Sequence, residues 1–210
     1  MRPVYVCALF VACLPAVRAS PSSMDIPSTH PGSPDVTVVL DIKGTLPAGS
    51  LRQMEKEAED IIGRSGIQLG WSSRDEATTG TFNDLVVLTF KGSCTLDPAP
   101  PLYDELGPYA FTRVANGQVQ PFGEVDCDRV SSSVRSAMGG DDFSKTELLM
   151  GRALGRIVAH ELVHMLTKSG QHAHEGVQRP ALSGKQLISK SLPLSAMDID
   201  RLKQEHPRVH

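Results

Sequence analysis

The chain has no long apolar run, no block of like charge and few cysteines. Its 210 residues carry a net charge of −3 with acidic and basic residues interspersed, which argues against nucleic acid or an anionic membrane surface as a partner. No segment approaches the roughly 20 apolar residues that cross a bilayer, so we expect no transmembrane anchor. The length suits one sizeable domain, and a monomer is the default expectation.

The first 19 residues are predicted to be a secretory signal peptide. Arg2 supplies a short positive region, residues 4–14 are apolar, and residues 17–19 offer small side chains before a cleavage site. The mature protein would then begin at Ser20 and be secreted or periplasmic. A lipid anchor at Cys13 is a minor alternative, because the residues before it loosely resemble a lipoprotein cleavage site.

Removal of the signal peptide leaves two cysteines, Cys94 and Cys127. An isolated pair in an exported protein most often forms a disulfide. A thiolate metal site is the alternative, but these two single cysteines lack the close pairing typical of structural zinc sites. We therefore expect a disulfide.

The mature chain divides into a leader and a folded domain. Residues 20–34 are rich in proline and serine and predict a disordered leader, and residues 35–210 form the domain. The strand predictions, from β-branched or alternating runs, are Val36–Ile42, Ile67–Trp71, Leu85–Phe90, Tyr109–Val114 and Gln118–Val125. The helix predictions, from apolar residues three and four apart, are Pro47–Arg64, Asp128–Met138 and Ser195–Glu205, besides one long helix.

The sequence also predicts how the last two strands are connected and how deeply the third strand is buried. Asn116-Gly117 between the last two strands predicts a type I′ hairpin, because both residues tolerate a positive φ. Leu85–Phe90 is nearly continuously apolar, which suits a strand buried on both faces.

The long helix is predicted to start at a capping box formed by Ser144 and Glu147 and to stop at Gly170. Gly151 and Gly155 lie within it at four-residue spacing. Since glycine costs about 1 kcal/mol in a helix relative to alanine, we expect a close approach of this helix to the sheet.

The same helix carries the sequence His160-Glu161-Leu162-Val163-His164, an HExxH motif. Residues four apart share one helix face about 6 Å apart, so both imidazoles can bind one tetrahedral Zn²⁺. Glu161 would point at the remaining coordination site, as hydrolysis by a metal-bound water requires. The chemistry predicted is that of a zinc hydrolase.

A catalytic zinc site needs a third protein ligand and one open position. His172 is the favoured candidate, because Gly170 lets the chain turn back after the helix. His174 is the second choice, and a carboxylate such as Glu175 or Glu205 remains open.

The stretch from Gly151 to Arg179 resembles the active-site region of small secreted bacterial zincin-like metallopeptidases related to the metzincins. The shared pattern is HExxH, seven residues, a third histidine, and a turn that here reads Gly-Val-Gln178-Arg179. Against the metzincin pattern HExxHxxGxxH, the ligand spacer is two residues longer, with Thr167 in the glycine position and Gly170 in the third histidine position. Gln178 stands where a methionine would lie beneath the metal.

The resemblance implies an α+β fold: a single zincin-like domain whose twisted mixed sheet, with an antiparallel edge strand, packs on the active-site helix beside a C-terminal helix. It implies a zinc metalloendopeptidase with His160, His164 and His172 as ligands and Glu161 as general base, acting on a peptide or protein. The oxyanion donor stays open between Tyr109, Arg179 and the metal. Alternatives are a catalytically degenerate zinc-binding module and an amidase acting on a non-protein amide.

Overall fold

The computed structural model describes residues 33–96 and 107–207. The predicted signal peptide and nearly all of the predicted leader lie outside the described residues. The strands are β1 (Val36–Ile42), β2 (Leu69–Ser73), β3 (Leu85–Lys91), β4 (Ala110–Ala115) and β5 (Gln118–Asp126). The helices are α1 (Ala48–Ile62), α2 (Arg74–Ala77), α3 (Cys127–Ala137), α4 (Thr146–Thr167), α5 (Gly184–Ile188) and α6 (Ala196–Glu205).

The five strands form one mixed sheet in the order β2-β1-β3-β5-β4. Every neighbouring pair is parallel except β4 with β5, which is antiparallel and places β4 at the edge. The β4–β5 hairpin turns at Asn116 and Gly117, whose φ angles of 52° and 75° are those of the type I′ turn that the sequence predicts. The α+β class with an antiparallel edge strand is confirmed.

Strand β3 differs from its prediction. Val86, Leu88 and Phe90 are buried, whereas the residues between them are only partly buried, so one face of β3 packs in the core and the other is half open. Strand β1 is the one buried along nearly its whole length. Apolar character alone does not show which of the two strands is buried on both faces, because burial depends on what lies over each face of the sheet.

The two glycines of the long helix α4 allow close packing against helix α1, and the predicted close contact with the sheet is wrong. A Cβ atom at Gly151 would lie 2.5 Å from the Ser50 carbonyl oxygen of α1, and one at Gly155 would lie 2.7 Å from the Met54 carbonyl oxygen. The backbones of α1 and α4 therefore approach each other at these positions, which small residues allow.

Both predicted ends of the long helix are wrong by a few residues. The Ser144 hydroxyl donates to the Asp141 carbonyl inside a 3₁₀ turn, and α4 begins at Thr146 without a side-chain cap. At the other end Lys168 takes the left-handed conformation, with φ of 48°, and stops the helix before Gly170. Local turns compete with capping signals of this kind, so terminal residues are the least predictable part of a helix.

Cys94 and Cys127 form the expected disulfide, with 4.6 Å between their Cα atoms. It joins the segment after β3 to the first residue of α3 across 33 positions of sequence. In the chain-entropy model a loop of that length is worth about 4 kcal/mol of stability.

Within the described residues, no helix combines the length and the apolar character that spanning a membrane would take.

Candidate metal centre

The last turns of α4 bring two imidazoles together. The Nε2 atoms of His160 and His164 are 3.1 Å apart. His160 Nδ1 lies 2.9 Å from the Val177 carbonyl oxygen, and His164 Nδ1 lies 2.7 Å from the Ser169 carbonyl oxygen. Because a carbonyl oxygen only accepts, each Nδ1 carries the hydrogen, and each Nε2 of a neutral ring presents a lone pair to the other.

His172 completes a group of three imidazoles, the three-histidine cluster. Its ring centroid lies 5.2 Å from that of His160 and 4.7 Å from that of His164. The potential ligand atoms of the three residues all lie within 4.8 Å of one another. Among the described residues this is the one group of at least three potential ligands so close together, and it includes neither His174 nor Glu175.

The cluster fits a zinc ion by its donors and spacing. Two nitrogen lone pairs facing each other at 3.1 Å repel unless a cation lies between them. Tetrahedral zinc with Zn–N bonds of 2.0–2.1 Å would place two such nitrogens about 3.3 Å apart. Burial lowers the pKa of His160 to about 4, opposed by the Val177 carbonyl and aided by the other two rings, so this ring is neutral as a metal ligand must be. Burial likewise lowers the pKa of His164.

A short turn after His172 provides one of the orienting carbonyls. The Ala173 N–H donates to the Gln178 carbonyl, and the Val177 N–H donates to the Pro193 carbonyl, at 2.8 and 2.9 Å. Gly176 has φ of 71°, and a Cβ atom there would lie 2.4 Å from the Pro193 oxygen, so glycine is required. The turn thereby directs the Val177 carbonyl at His160.

Gln178 packs against His164 from the end of that turn. Its side chain is fully buried, and its amide nitrogen lies 3.1 Å from His164 Nε2 and 3.3 Å from His164 Nδ1. Its amide oxygen has no hydrogen-bond partner among the described residues. A polar side chain therefore supports the ring where the related pattern has methionine.

Glu161 lies beside the cluster and is 5% exposed. Its Oε2 accepts a hydrogen bond of 2.6 Å from the hydroxyl of Thr112, on strand β4. Burial raises the pKa of Glu161 to about 7, and the Thr112 hydroxyl opposes that rise. The role of Thr112 has no signal in the sequence, because its contact with Glu161 spans 49 positions.

The edge strand presents backbone groups beside Glu161. The Asp126 N–H donates to the Tyr109 carbonyl, so the polar backbone groups of Tyr109 point toward β5. In an antiparallel pair the direction alternates, and the N–H and C=O groups of Ala110 and Thr112 therefore point away from β5. No other described strand pairs with that side of β4.

A cavity of about 460 Å³ opens next to His160 and Glu161. Its other lining residues come from the approach to β4, from α4 and from the segment after Gln178: Gly107, Pro108, Tyr109, Ala110, Ile157, Arg179, Pro180, Ala181 and Leu182. Of the two candidate oxyanion donors among these, the Tyr109 hydroxyl lies 2.6 Å from the Ser133 hydroxyl, whereas Arg179 is exposed.

Comparison with known proteins gives a likeness of fold. No protein-family model and no curated protein matches the sequence. Among solved structures, the crystal structure of archaemetzincin from Methanopyrus kandleri is similar, with a TM-score of 0.50 and 14% sequence identity. The match covers 86% of this chain and 99% of that chain. The chain therefore has a zincin-like fold, in agreement with the fold that the sequence predicts.

Proposed function

We propose that this protein is a zinc-dependent metallopeptidase in which His160, His164 and His172 hold the metal and Glu161 is the general base. The observation that carries the proposal is the three-histidine cluster with a buried carboxylate beside it, at the mouth of a cavity. Three nitrogen donors leave a fourth position open, as catalytic zinc sites do.

The chemistry that a zinc ion supplies in such a site is polarisation of a carbonyl and activation of a water. Glu161 has the properties of the proton carrier. A pKa of about 7 lets its carboxylate take a proton near neutral pH and return it to a leaving amine. The Thr112 hydroxyl fixes Oε2, so Oε1 is the atom we assign to the proton transfer.

The substrate proposed is an extended peptide. The outward backbone groups of Ala110 and Thr112 could pair with it as an added strand, a common way to bind peptides. Such a peptide would run past Glu161 and could place one side chain in the cavity that Ile157 and Leu182 help to line. An amide in a non-protein substrate remains the alternative from the sequence.

We also propose that the protein acts outside the cytoplasm. The disulfide between Cys94 and Cys127 supports an oxidising compartment, in which such bonds persist. The signal peptide over residues 1–19 and cleavage near Ala19 stay predictions from the sequence, as does the monomeric state.

The test is metal analysis of the mature protein together with digestion of an unbiased peptide library. Replacing Glu161 with Gln should leave one bound zinc per chain and reduce cleavage about 10²- to 10⁴-fold, the usual contribution of a general base. Glu175→Gln is the matched control, because this exposed carboxylate lies outside the cluster and its loss should change neither zinc content nor cleavage.

Two results would contradict the proposal. A wild-type protein that binds zinc but cleaves no peptide of the library would favour a non-catalytic zinc-binding module or the amidase. Cleavage that persists in the Glu161→Gln protein would show that another group acts as the base.

A further inference from the structure

Asp198 is a buried carboxylate without a positive partner among the described residues. It lies in the first turn of α6 and is fully buried. Its Oδ2 accepts a hydrogen bond of 2.6 Å from the Ser195 hydroxyl, whereas its Oδ1 has no hydrogen-bond partner in the described part of the chain. None of the described lysines and arginines forms an ion pair with it. Because aspartate is rarely fully buried unless it is paired, this side chain requires an explanation.

A second fully buried charged side chain, Arg156, shows how the fold compensates such a charge. Its Nε donates to Glu57 Oε1 at 2.8 Å, an ion pair between α4 and α1. Its Nη1 donates to the Leu187 carbonyl at 3.1 Å, and its Nη2 donates to the Ser189 carbonyl at 2.8 Å. Arg156 therefore has its counter-charge within the described fold, and Asp198 does not.

The start of α6 lies close to the three-histidine cluster. The helix packs against α4, which carries two of the imidazoles. The backbone nitrogen of Ser195, the residue that caps α6 and bonds to Asp198, lies 3.2 Å from the point that a Cβ atom of Gly176 would occupy. Gly176 belongs to the turn that directs the Val177 carbonyl at His160. Asp198 is thus held next to the turn that supports the metal ligands.

The electrostatics of the site agree with this placement. Burial lowers the pKa of His164, and the Ser169 carbonyl and the Asp198 carboxylate act against that lowering. The negative charge of Asp198 therefore favours a positive charge at the His164 ring. A bound zinc ion would supply that charge, because neutral imidazole ligands leave both of its positive charges uncompensated.

We propose that the Asp198 carboxylate is the buried counter-charge of a zinc ion in the three-histidine cluster and raises the affinity of the site for that ion. The inference rests on the proposed function, since it takes the cluster to be the zinc site. Asp198 is not one of the grouped ligands, so it acts through space. Such an interaction is effective here because water and salt screen buried charges much less than exposed ones.

The test compares zinc affinity in the wild-type protein and in Asp198→Asn, by competition with a chromophoric chelator at fixed pH. Asparagine has nearly the same shape and keeps an oxygen that can accept the Ser195 hydroxyl, so the main change is the loss of charge. The variant should bind zinc about 10- to 100-fold more weakly, the range found for outer-shell partners. Asp200→Asn is the matched control, because this carboxylate lies on the same helix but is exposed, and its loss should not change zinc affinity.

A second variant separates the charge of Asp198 from its place in the helix cap. Ser195→Ala removes the hydroxyl that donates to the carboxylate and accepts from the Asp198 N–H, but keeps the charge. It should lower the urea midpoint of the metal-free protein and leave zinc affinity nearly unchanged. An equal loss of affinity in Ser195→Ala and Asp198→Asn would overturn the proposal, since the position of α6 would then matter and the charge would not.

Circular dichroism of the metal-free proteins completes the test, and Asp198→Asn should remain folded. Unchanged zinc affinity in a folded Asp198→Asn protein would overturn the proposal. A variant that does not fold without metal would also overturn it, because the carboxylate would then be required by the fold itself.

Failure of the proposed function would look different. The site itself is tested by stoichiometric zinc binding in the wild-type protein and its loss in His160→Ala, and no peptide cleavage enters the comparison of Asp198 variants. If the wild type binds no zinc, the assignment of the cluster is wrong and the role given to Asp198 is wrong with it. If zinc binds but no peptide is cleaved, the catalytic proposal fails, and the affinities alone decide on Asp198.

Discussion

The three imidazoles of the cluster are held in two different ways. His160 and His164 lie on a buried helix, and each has its Nδ1 bonded to a backbone carbonyl. His172 lies on an exposed segment, and its ring makes no hydrogen bond within the described residues. The helix thus presents a prearranged pair of donors, and the third donor is the adjustable one. Such a division lets the fold fix the position of a metal and leaves one ligand free to adapt to it.

Removal of the His172 imidazole should have the largest effect, because this residue is the adjustable ligand. His172→Ala should weaken zinc binding by at least about 100-fold, more than loss of an outer-shell partner does. It should change the stability of the metal-free protein by less than about 0.5 kcal/mol, because the side chain is exposed. Zinc titration and urea unfolding measure the two effects. His174→Ala is the control, and if it loses zinc while His172→Ala retains it, the third ligand is misassigned.

Glu161 combines the two arrangements, because it lies on the helix but accepts its orienting hydrogen bond from strand β4. Thr112→Val keeps the shape of the side chain and removes the hydroxyl, so the carboxylate loses a charge-assisted hydrogen bond. We expect kcat to fall about 10-fold with little change in KM, and Thr112→Ser to restore most of it. Steady-state kinetics on a peptide from the library screen measure kcat and KM for both variants. Full activity in the valine variant together with a loss in the serine variant would mean that Thr112 serves packing alone.

At acid pH, the burial of the His160 imidazole should lower the unfolding free energy of the metal-free protein. Burial lowers the pKa of His160 to about 4 from an ordinary 6.5, so between these pH values the unfolded chain binds more protons than the folded one. The metal-free fold should then lose stability as pH falls from 6.5 to 4. Glu161 acts in the opposite sense, because its pKa is raised from 4.5 to about 7 and the folded state binds the extra proton.

The two contributions can be separated with Glu161→Gln. The metal-free variant should show a steeper acid loss of unfolding free energy than the wild type, measured by urea titration at several pH values. Parallel pH profiles in the two proteins would contradict the opposing role given to Glu161.

Most strands and helices were predictable because their signals are local. The hairpin at Asn116-Gly117 follows from the φ angles those two residues accept, and α1 follows from the spacing of its buried residues Met54, Ala58 and Ile61. Helix α5 was not predicted. Its five residues are too few for a periodic signal, and its last carbonyls accept hydrogen bonds from Arg156, a residue about 30 positions earlier. Tertiary contacts of this kind have no counterpart in a local pattern.

The candidate site likewise contains residues that local spacing predicts and residues that it does not. His160, Glu161 and His164 lie within five residues on one helix, so their proximity follows from helix geometry alone. The groups that orient them are distant or irregular: the Val177 and Ser169 carbonyls follow the helix in irregular segments, and Thr112 comes from another element. These partners depend on how the chain returns to the helix, which spacing does not encode.

The bond between Cys94 and Cys127 also bears on how the protein would behave if its backbone were cut. The two cysteines lie on either side of residues 95–126, which include Tyr109 and Thr112. A single cut anywhere in that stretch leaves two fragments that the sulfur bridge still joins. The nicked molecule would therefore run as one band on a denaturing gel without reductant and as two bands once thiol is added.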